Sequence, residues 1–270
     1  MTENSDASEG RGGSPVSTAI AVLRCFSVDE PLLGVTEIAA RLGMHKSSAS
    51  RILATLESED LVERDPASRR YRLGLGIIAI AGPLLADLDV RRVAIPTLRE
   101  LTERTGETSA LLLWSGHEAV AVEQVPSPHQ VKHTTALGTR YATALSASVQ
   151  VFLATLPPER VRALIASGAV SLPATDDAGL DAYAVRLTEA TGRGYAVNYG
   201  ETSIDEVGVA APVRDHRGDV VAAVLVSAPR FRVSEAQLGA LGEACAKAAA
   251  DVTRRLGGAP SPSVEGSLPR

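Results

Sequence analysis

The sequence predicts an α+β protein with two folded parts: an N-terminal winged helix-turn-helix and a C-terminal antiparallel sheet with helices, joined by a helical linker. Three observations predict it. Residues 35–56 read VTEIAARLGMHKSSASRILATL, two short amphipathic helices meeting at Gly43. Residues 61–64 and 71–73 read as short strands around a loop of turn residues. From Thr108 onward, short apolar strands alternate with helical stretches.

Composition bounds the answer. A chain of 270 residues has room for two cores. With 45% hydrophobic and 22% charged residues the bulk is globular, and with 3% aromatics its core is mainly Val, Leu, Ile and Ala. Cys25 and Cys245 form no CxxC pair, so no disulfide framework is expected and a reducing cytoplasm fits. There is no apolar run of transmembrane length and no apolar signal region, so no membrane partner is expected. Net charge is −5, which is not the basic footprint of many DNA-binding proteins. Residues 15–75 hold eight Lys/Arg and eight Asp/Glu, so any DNA argument rests on where the charges sit.

The elements follow in order. Residues 1–14 are polar and expected to be disordered. Ser14-Pro15 supplies an N-cap with proline at the first helical position, and Ala19, Ile20, Leu23 and Phe26 extend that helix to about Ser27. Thr36 is read as the cap of the second helix, with Ile38, Ala39 and Leu42 inward and Gly43 at the left-handed C′ position. The third helix runs from about His45 to Ser58, with Ala49, Ile52, Leu53 and Leu56 as its apolar stripe. The strands at 61–64 and 71–73 enclose the loop 65–70, whose arginines make a basic wing. Residues 75–105 are helical in pattern, with a break expected near Gly82-Pro83 and a close at Gly106. Strands are expected at 109–114, 118–125, 131–134, 195–198, 207–213 and 220–227. Helices are expected at 145–156, 159–166 and 180–191, and from Ser234 to about Leu256, all on one side of the sheet. Residues 257–270 are again expected to be disordered. The domain boundaries read 15–75, 76–106 as linker and 107–256.

Lys46, Ser47, Ser48, Ser50, Arg51 and Thr55 lie off the apolar stripe of the third helix. On a recognition helix Arg51, Ser47 and Ser48 reach base edges, while Lys46, Ser50 and Thr55 suit phosphates. Arg69 and Arg70 in the wing suit phosphates as well, with Arg72 placed less clearly by strand alternation. The acids Glu57, Glu59 and Asp60 gather at the far end of the helix. The five histidines form no metal set: His129 and His133 are four apart, but in a strand-like stretch without further ligands. No P-loop, no G-x-S-x-G and no dinucleotide fingerprint is present, so no enzyme and no cofactor is expected.

At this level of detail the chain resembles the IclR-type transcriptional regulators, over about residues 15–256. The DNA-binding half carries the resemblance in LGMHKSSASRILATLESEDLVERDPASRRYRLG. The second half carries it in ELTERTGETSALLL, GTRYATALSASVQVFLATLP, GYAVNYGET and VGVAAPVRDHRGDVVAAVLVSAP. The resemblance implies a linker helix that dimerises and a GAF-like or PAS-like effector domain. It implies homodimers or homotetramers on palindromic double-stranded operators, answering to small organic or aromatic acids. Matching the segments places the implied effector pocket on His133, Ala147, Ser148, Asn198, Glu206, Gly208, Leu225 and Ser227, with Tyr141 and Ser146 close by. The chain departs from the usual pattern at Ala142-Thr143-Ala144, where Pro-Leu-His is common, and at Val149-Gln150, where Gly-Lys is. Asn198 stands where Asp is usual and Gly208 where Cys is. An amide for a carboxylate removes a negative charge and eases acceptance of an acid; Glu206 acts the other way. The expectation is a ligand-responsive transcriptional regulator, a repressor, that shifts between two spacings of its DNA-binding heads. The alternative is a sensor or enzyme whose winged helix contacts protein; a constitutive architectural protein without an effector is the third reading.

Overall fold

The computed structural model describes residues 14–27, 29–87, 89–134 and 136–259, with the backbone alone over 83–87. The expectations for 1–13 and 260–270 fall outside these. The chain divides into two compact units, Met1–Asp87 and Leu88–Arg270.

In the first unit, α1 (Pro15–Leu23) is capped by Ser14, whose hydroxyl accepts the Ser17 N–H at 3.2 Å. It ends earlier than the sequence pattern extends. Cys25 N–H turns to the Val22 carbonyl at 3.1 Å, three residues back, and Phe26 reaches the core from that tightened turn. Helix α2 (Val35–Arg41) begins one residue before Thr36, so Thr36 does not cap it. The cap is Gly34, and the Glu37 carboxylate reaches back to the Gly34 N–H at 2.7 Å. Helix α3 (Lys46–Ser58) buries Ala49, Leu53 and Leu56. Strands β1 (Val62–Arg64) and β2 (Tyr71–Leu73) pair antiparallel, and Leu33 bridges to Tyr71 on the other side. Val22, Ile38, Leu53, Leu56, Val62 and Tyr71 close one core.

Two glycines in this unit answer to geometry. Gly43 has φ +61° between α2 and α3, the left-handed value that an L side chain resists. Gly74 lies against the Asp60 carbonyl, where an added Cβ would stand 2.2 Å from the oxygen.

Helix α4 (Gly76–Asp87) runs unbroken through Gly82-Pro83, contrary to the break expected there. A proline removes one rung of the ladder and does not oblige the helix to end. Pro96 likewise lies inside α5 (Asp89–Thr105). Helix α5 belongs to the second unit, where Ala94, Leu98 and Leu101 are buried in its core.

The second unit is one sheet of six antiparallel strands in the order β5-β4-β3-β8-β7-β6. They are β3 (Thr108–Trp114), β4 (Ala119–Val125), β5 (Arg140–Tyr141), β6 (Ala196–Tyr199), β7 (Glu206–Arg214) and β8 (Val220–Pro229). The expected strand at 131–134 is absent; the edge position belongs to β5. Side chains take the polar groups of that stretch instead, with Arg232 donating to the Val131 carbonyl at 2.8 Å.

Helices cover both faces of the sheet, not one. α6 (Ala147–Leu153), α7 (Pro158–Ala166) and α8 (Asp177–Arg193) close a core with Ala110, Leu112, Ala210 and Leu225. α5 and α9 (Leu238–Arg255) close the other with Leu111, Val209, Val224 and Val226. The reason is in β7 and β8, whose side chains are buried on alternate and intervening positions alike. A strand buried on both faces needs cover on both. Helix α6 is shorter than the pattern at 145–156, and α8 starts earlier than Leu180 because Asp176 accepts the Gly179 N–H at 3.0 Å. Ser234 caps a short 3-10 turn before α9, in a reciprocal pair with Gln237.

Gly74→Ala is expected to lower the stability of the first unit by about 2 kcal/mol or more, through overpacking against Asp60. Gly43→Ala, which meets nothing within 4 Å, is expected to lose about 1–2 kcal/mol through backbone conformation alone. Denaturant unfolding followed by circular dichroism checks both; equal stability of Gly74→Ala and the parent would contradict the close approach.

Candidate nucleic-acid interface and ligand pocket

Helix α3 presents Lys46, Ser47, Ser50, Arg51 and Thr55 to solvent, with Ser48 half-buried. Thr55 donates to the Arg51 carbonyl at 3.1 Å, so its hydroxyl proton is engaged within the helix. Glu30 pairs with Arg41 at 2.7 Å, Glu37 with Arg70 at 2.7 Å, and Glu63 with Arg72. Among the described residues no ion pair engages Lys46, Arg51 or Arg69. The even charge count of the unit therefore hides an uneven distribution. Arg41, Arg70 and Arg72, away from α3, are each neutralised by an acid, and the cations without acidic partners include two on its leading turns and one on the wing.

The two wing arginines differ. Arg69 sits at φ +56° in the turn after β1. Arg70 is engaged twice, by the Glu37 carboxylate and by the Leu32 carbonyl at 3.2 Å. It ties the wing to α2. Asp65 closes the wing loop, accepting the Ser68 N–H at 2.7 Å; the Ser68 hydroxyl and N–H hold its carboxyl below the usual carboxylate range.

In the second unit the strand register brings together several of the residues expected to form a ligand pocket. Asn198 on β6 faces Gly208 on β7, which faces Ser227 on β8. A Cβ added at Gly208 would meet Leu225 at 3.7 Å, Ala147 at 3.8 Å and Asn198 at 3.9 Å. Five of the residues expected to form the pocket therefore converge under the start of α6. Ser146 and Ser148 hydrogen-bond each other there at 3.1 Å between hydroxyls. Asn198, Ser148 and Ser227 are 3%, 0% and 1% exposed, so this polar row is closed to solvent.

The β6–β7 connection packs against the row and hydrogen-bonds to it. The Asn198 carbonyl oxygen Oδ1 accepts the Glu201 N–H at 3.0 Å, and its amide donates to the Thr202 hydroxyl. Arg186 on α8 reaches Glu201 at 2.5–2.6 Å, the Val197 carbonyl at 2.8 Å and Gln150 Oε1 at 3.0 Å. His133 Nε2 lies 3.1 Å from the Asp205 carbonyl, on the same connection. Glu206 opens β7 on the pocket face and is half-buried. Tyr141 shares that face but sits on β5, at the opposite edge of the sheet from Asn198, and the register does not bring it into the row.

Gln150, Arg186, Glu201 and Thr202 were not among the residues singled out from sequence. A signal existed for the first: a fully buried Gln inside the apolar helix ASVQVFL must find partners. Its Nε2 donates to the Leu145 and Val197 carbonyls at 2.9 and 3.1 Å. Nothing local marks Arg186, which is one of several arginines on exposed helix faces.

Among the described residues no group of His, Cys, Asp and Glu is placed to hold a metal ion. No helix among them is long and apolar enough to cross a membrane.

The tie between α2 and the wing carries a pH dependence. The Gly34 N–H, with the Arg70 and Arg41 guanidiniums, holds the Glu37 carboxyl below its ordinary 4.5. A folded-state value below the unfolded one stabilises the fold above the unfolded pKa, and that contribution is lost as pH falls through the folded value. Glu37→Gln is therefore expected to be less stable at neutral pH and to lose less stability on acidification than the parent. Thermal melts from neutral to acidic pH measure it; parallel pH profiles for the two proteins would contradict the assignment.

Comparisons with known proteins cover both units of the chain. The IclR helix-turn-helix model matches residues 15–66 and the bacterial transcriptional regulator IclR C-terminal model matches residues 83–254. The chain is 27% identical to the HTH-type transcriptional repressor AllR of Escherichia coli, over 92% of each chain. A crystal structure of an IclR-family regulator domain is 62% identical, covering 64% of this chain and 99% of that one with a TM-score of 0.62. A second, an IclR homolog from Microbacterium hydrocarbonoxydans complexed with 4-hydroxybenzoate, is 25% identical over 90% of this chain and 99% of its own, with a TM-score of 0.74. With one family model matching the helix-turn-helix and the other the sheet domain, the chain belongs to the IclR family of DNA-binding transcriptional regulators.

Proposed function

We propose that α3 enters the major groove of a palindromic double-stranded operator as part of a homodimer or homotetramer, and that a small organic or aromatic acid in the second unit releases it. The observation that carries the reading is the exposed face of α3, where Lys46 and Arg51 have no ion-pair partner among the described residues, while Arg41, Arg70 and Arg72 elsewhere in the unit are paired with acids. Arg51, Ser47 and Ser48 read bases; Lys46, Ser50 and Arg69 meet phosphates, and Thr55 joins them only by giving up its bond to the Arg51 carbonyl. Arg70, already bound to Glu37, positions the wing.

Dimerisation is supported by α4 and its approach. Leu75, Ile78 and Ile80 are 78%, 61% and 70% exposed, apolar area that water does not favour leaving open. Repression is supported by the likeness to AllR, and an aromatic acid by the ligand of the Microbacterium homolog. A cytoplasmic place suits a regulator of DNA with two free cysteines. Within the pocket Ser146, Ser148, Asn198 and Ser227 supply neutral hydrogen-bonding groups, His133 and Glu206 stand at its mouth, Tyr141 bounds its face, and Ala147, Gly208 and Leu225 leave room for the apolar part.

Two experiments test this. In gel shifts on the DNA upstream of the protein's own gene, Arg51→Ala is expected to cost about 1–3 kcal/mol of binding with loss of sequence preference. Arg69→Ala is expected to flatten the salt dependence by about one phosphate's worth. Undiminished binding in both variants would sink the interface. Gly208→Val is expected to leave operator binding intact and abolish its release by 4-hydroxybenzoate or another small acid that releases the parent. Release of this variant at the parent's ligand concentration would show that the ligand sits elsewhere.

A further inference from the structure

A second cleft lies away from the pocket row, between α6, α7 and α8, with a volume of about 210 Å³. Its floor is Leu153, Val161, Ile165, Tyr183 and Leu187, all buried. Its rim carries four polar side chains, and each is already engaged. Arg162 pairs with Asp181 at 2.8 Å and lies 4.0 Å from Asp177. Thr188 and Thr191 donate to carbonyls of their own helix, Ala184 at 3.0 Å and Leu187 at 2.9 Å. The Tyr183 hydroxyl donates to the Ala144 carbonyl at 2.8 Å. An occupant therefore finds apolar surface and no unengaged cation. Arg162 is the one charged residue of the lining, and its pairing with Asp181 offsets the attraction it would exert on an acid.

We propose that this cleft is a second small-molecule site, separate from the pocket at Asn198 and Gly208, and that it takes a neutral apolar molecule of about one ring. The size fits: a cavity of about 150 Å³ with aliphatic walls already accepts benzene. The chemistry follows from the engaged rim, since binding there draws on burial of apolar area alone. Binding here does not depend on the function proposed for the other pocket. The two places do share α6, whose first turn lies over Gly208 and whose last residue, Leu153, is in the cleft floor. Tyr183, in the same floor, holds the carbonyl two residues before Ser146.

The readout is built in. Trp114 is the chain's single tryptophan, and it stacks on Phe152 of α6 with ring centroids 5.2 Å apart. Full-length protein is titrated with toluene, following Trp114 emission and the thermal midpoint. Toluene is expected to raise the midpoint by a few degrees and change the emission, as a ligand of the folded state does. Both responses are expected to vanish in Ala184→Phe, which fills the cleft from its rim, and in Thr188→Phe, which serves if the first variant does not fold. Benzoate, the same ring with a carboxylate, is expected to need at least tenfold higher concentration to displace toluene. No response in the parent overturns the proposal, as does a response that persists in either folded variant, because toluene then sits elsewhere. Displacement by benzoate at equal concentration overturns the neutral class. A parent that ignores toluene but whose mass by light scattering falls on Ala184→Phe would make the face a protein interface, and the proposal fails.

Discussion

Burial of the β7–β8 ribbon on both faces is the constraint on which the second unit depends. Val207, Val209, Ala211 and Val213 point to one core, and Gly208 and Ala210 to the other. Such a ribbon is stable only between two layers, so α5 and α9 must cover one side and α6, α7 and α8 the other. That arrangement sets a polar row inside an apolar layer. Asn198, Gly208 and Ser227 lie in register across three strands, and α6 closes over them. The row thus sets hydroxyls and an amide where aliphatic side chains would otherwise fill a packed core, and this is where the proposed ligand is placed.

The same logic of engaged and free groups organises the first unit. Its small core fixes α3, and its ion pairs engage Arg41, Arg70 and Arg72, while Lys46, Arg51 and Arg69 keep no acidic partner among the described residues. Arg70 illustrates the point. By sequence it is one of two equivalent wing cations, yet its guanidinium stitches the wing to α2 through Glu37 and Leu32. Specificity therefore depends on α3 being held in place as much as on the residues it exposes. A wing that is anchored can transmit the orientation of the unit to the phosphate backbone.

Much of the fold was legible in the pattern of residues. The helix-turn-helix followed from periodicity with Gly43 at a position that wants positive φ, and the wing from two short strands around turn residues. The strands of the sheet were legible as apolar runs, all but 131–134. That stretch misled because Val131 and its neighbours look like a strand while their backbone groups are bonded by distant side chains such as Arg232. Gly82-Pro83 misled in the opposite sense: local rules predict a break, and the helix goes through. The covering of both faces was present in the sequence too, in the unalternating runs VGVAAPV and VVAAVLVSA, but was read as one-sided.

Alone, then, the sequence determined the order and type of most elements, including the two helices of the helix-turn-helix, and the segments that carry the polar row. These depend on local propensity and periodicity, which act over a few residues. Only the tertiary structure decided which charges remain without ion-pair partners, that Tyr141 stands off the row, that Gln150, Arg186 and Glu201 tie the β6–β7 connection to α6 and α8, and that a second cleft opens behind α6. These depend on which side chains meet across tens of residues of chain. A guanidinium's partner is set by the packing of whole elements, and no spacing along the chain encodes it.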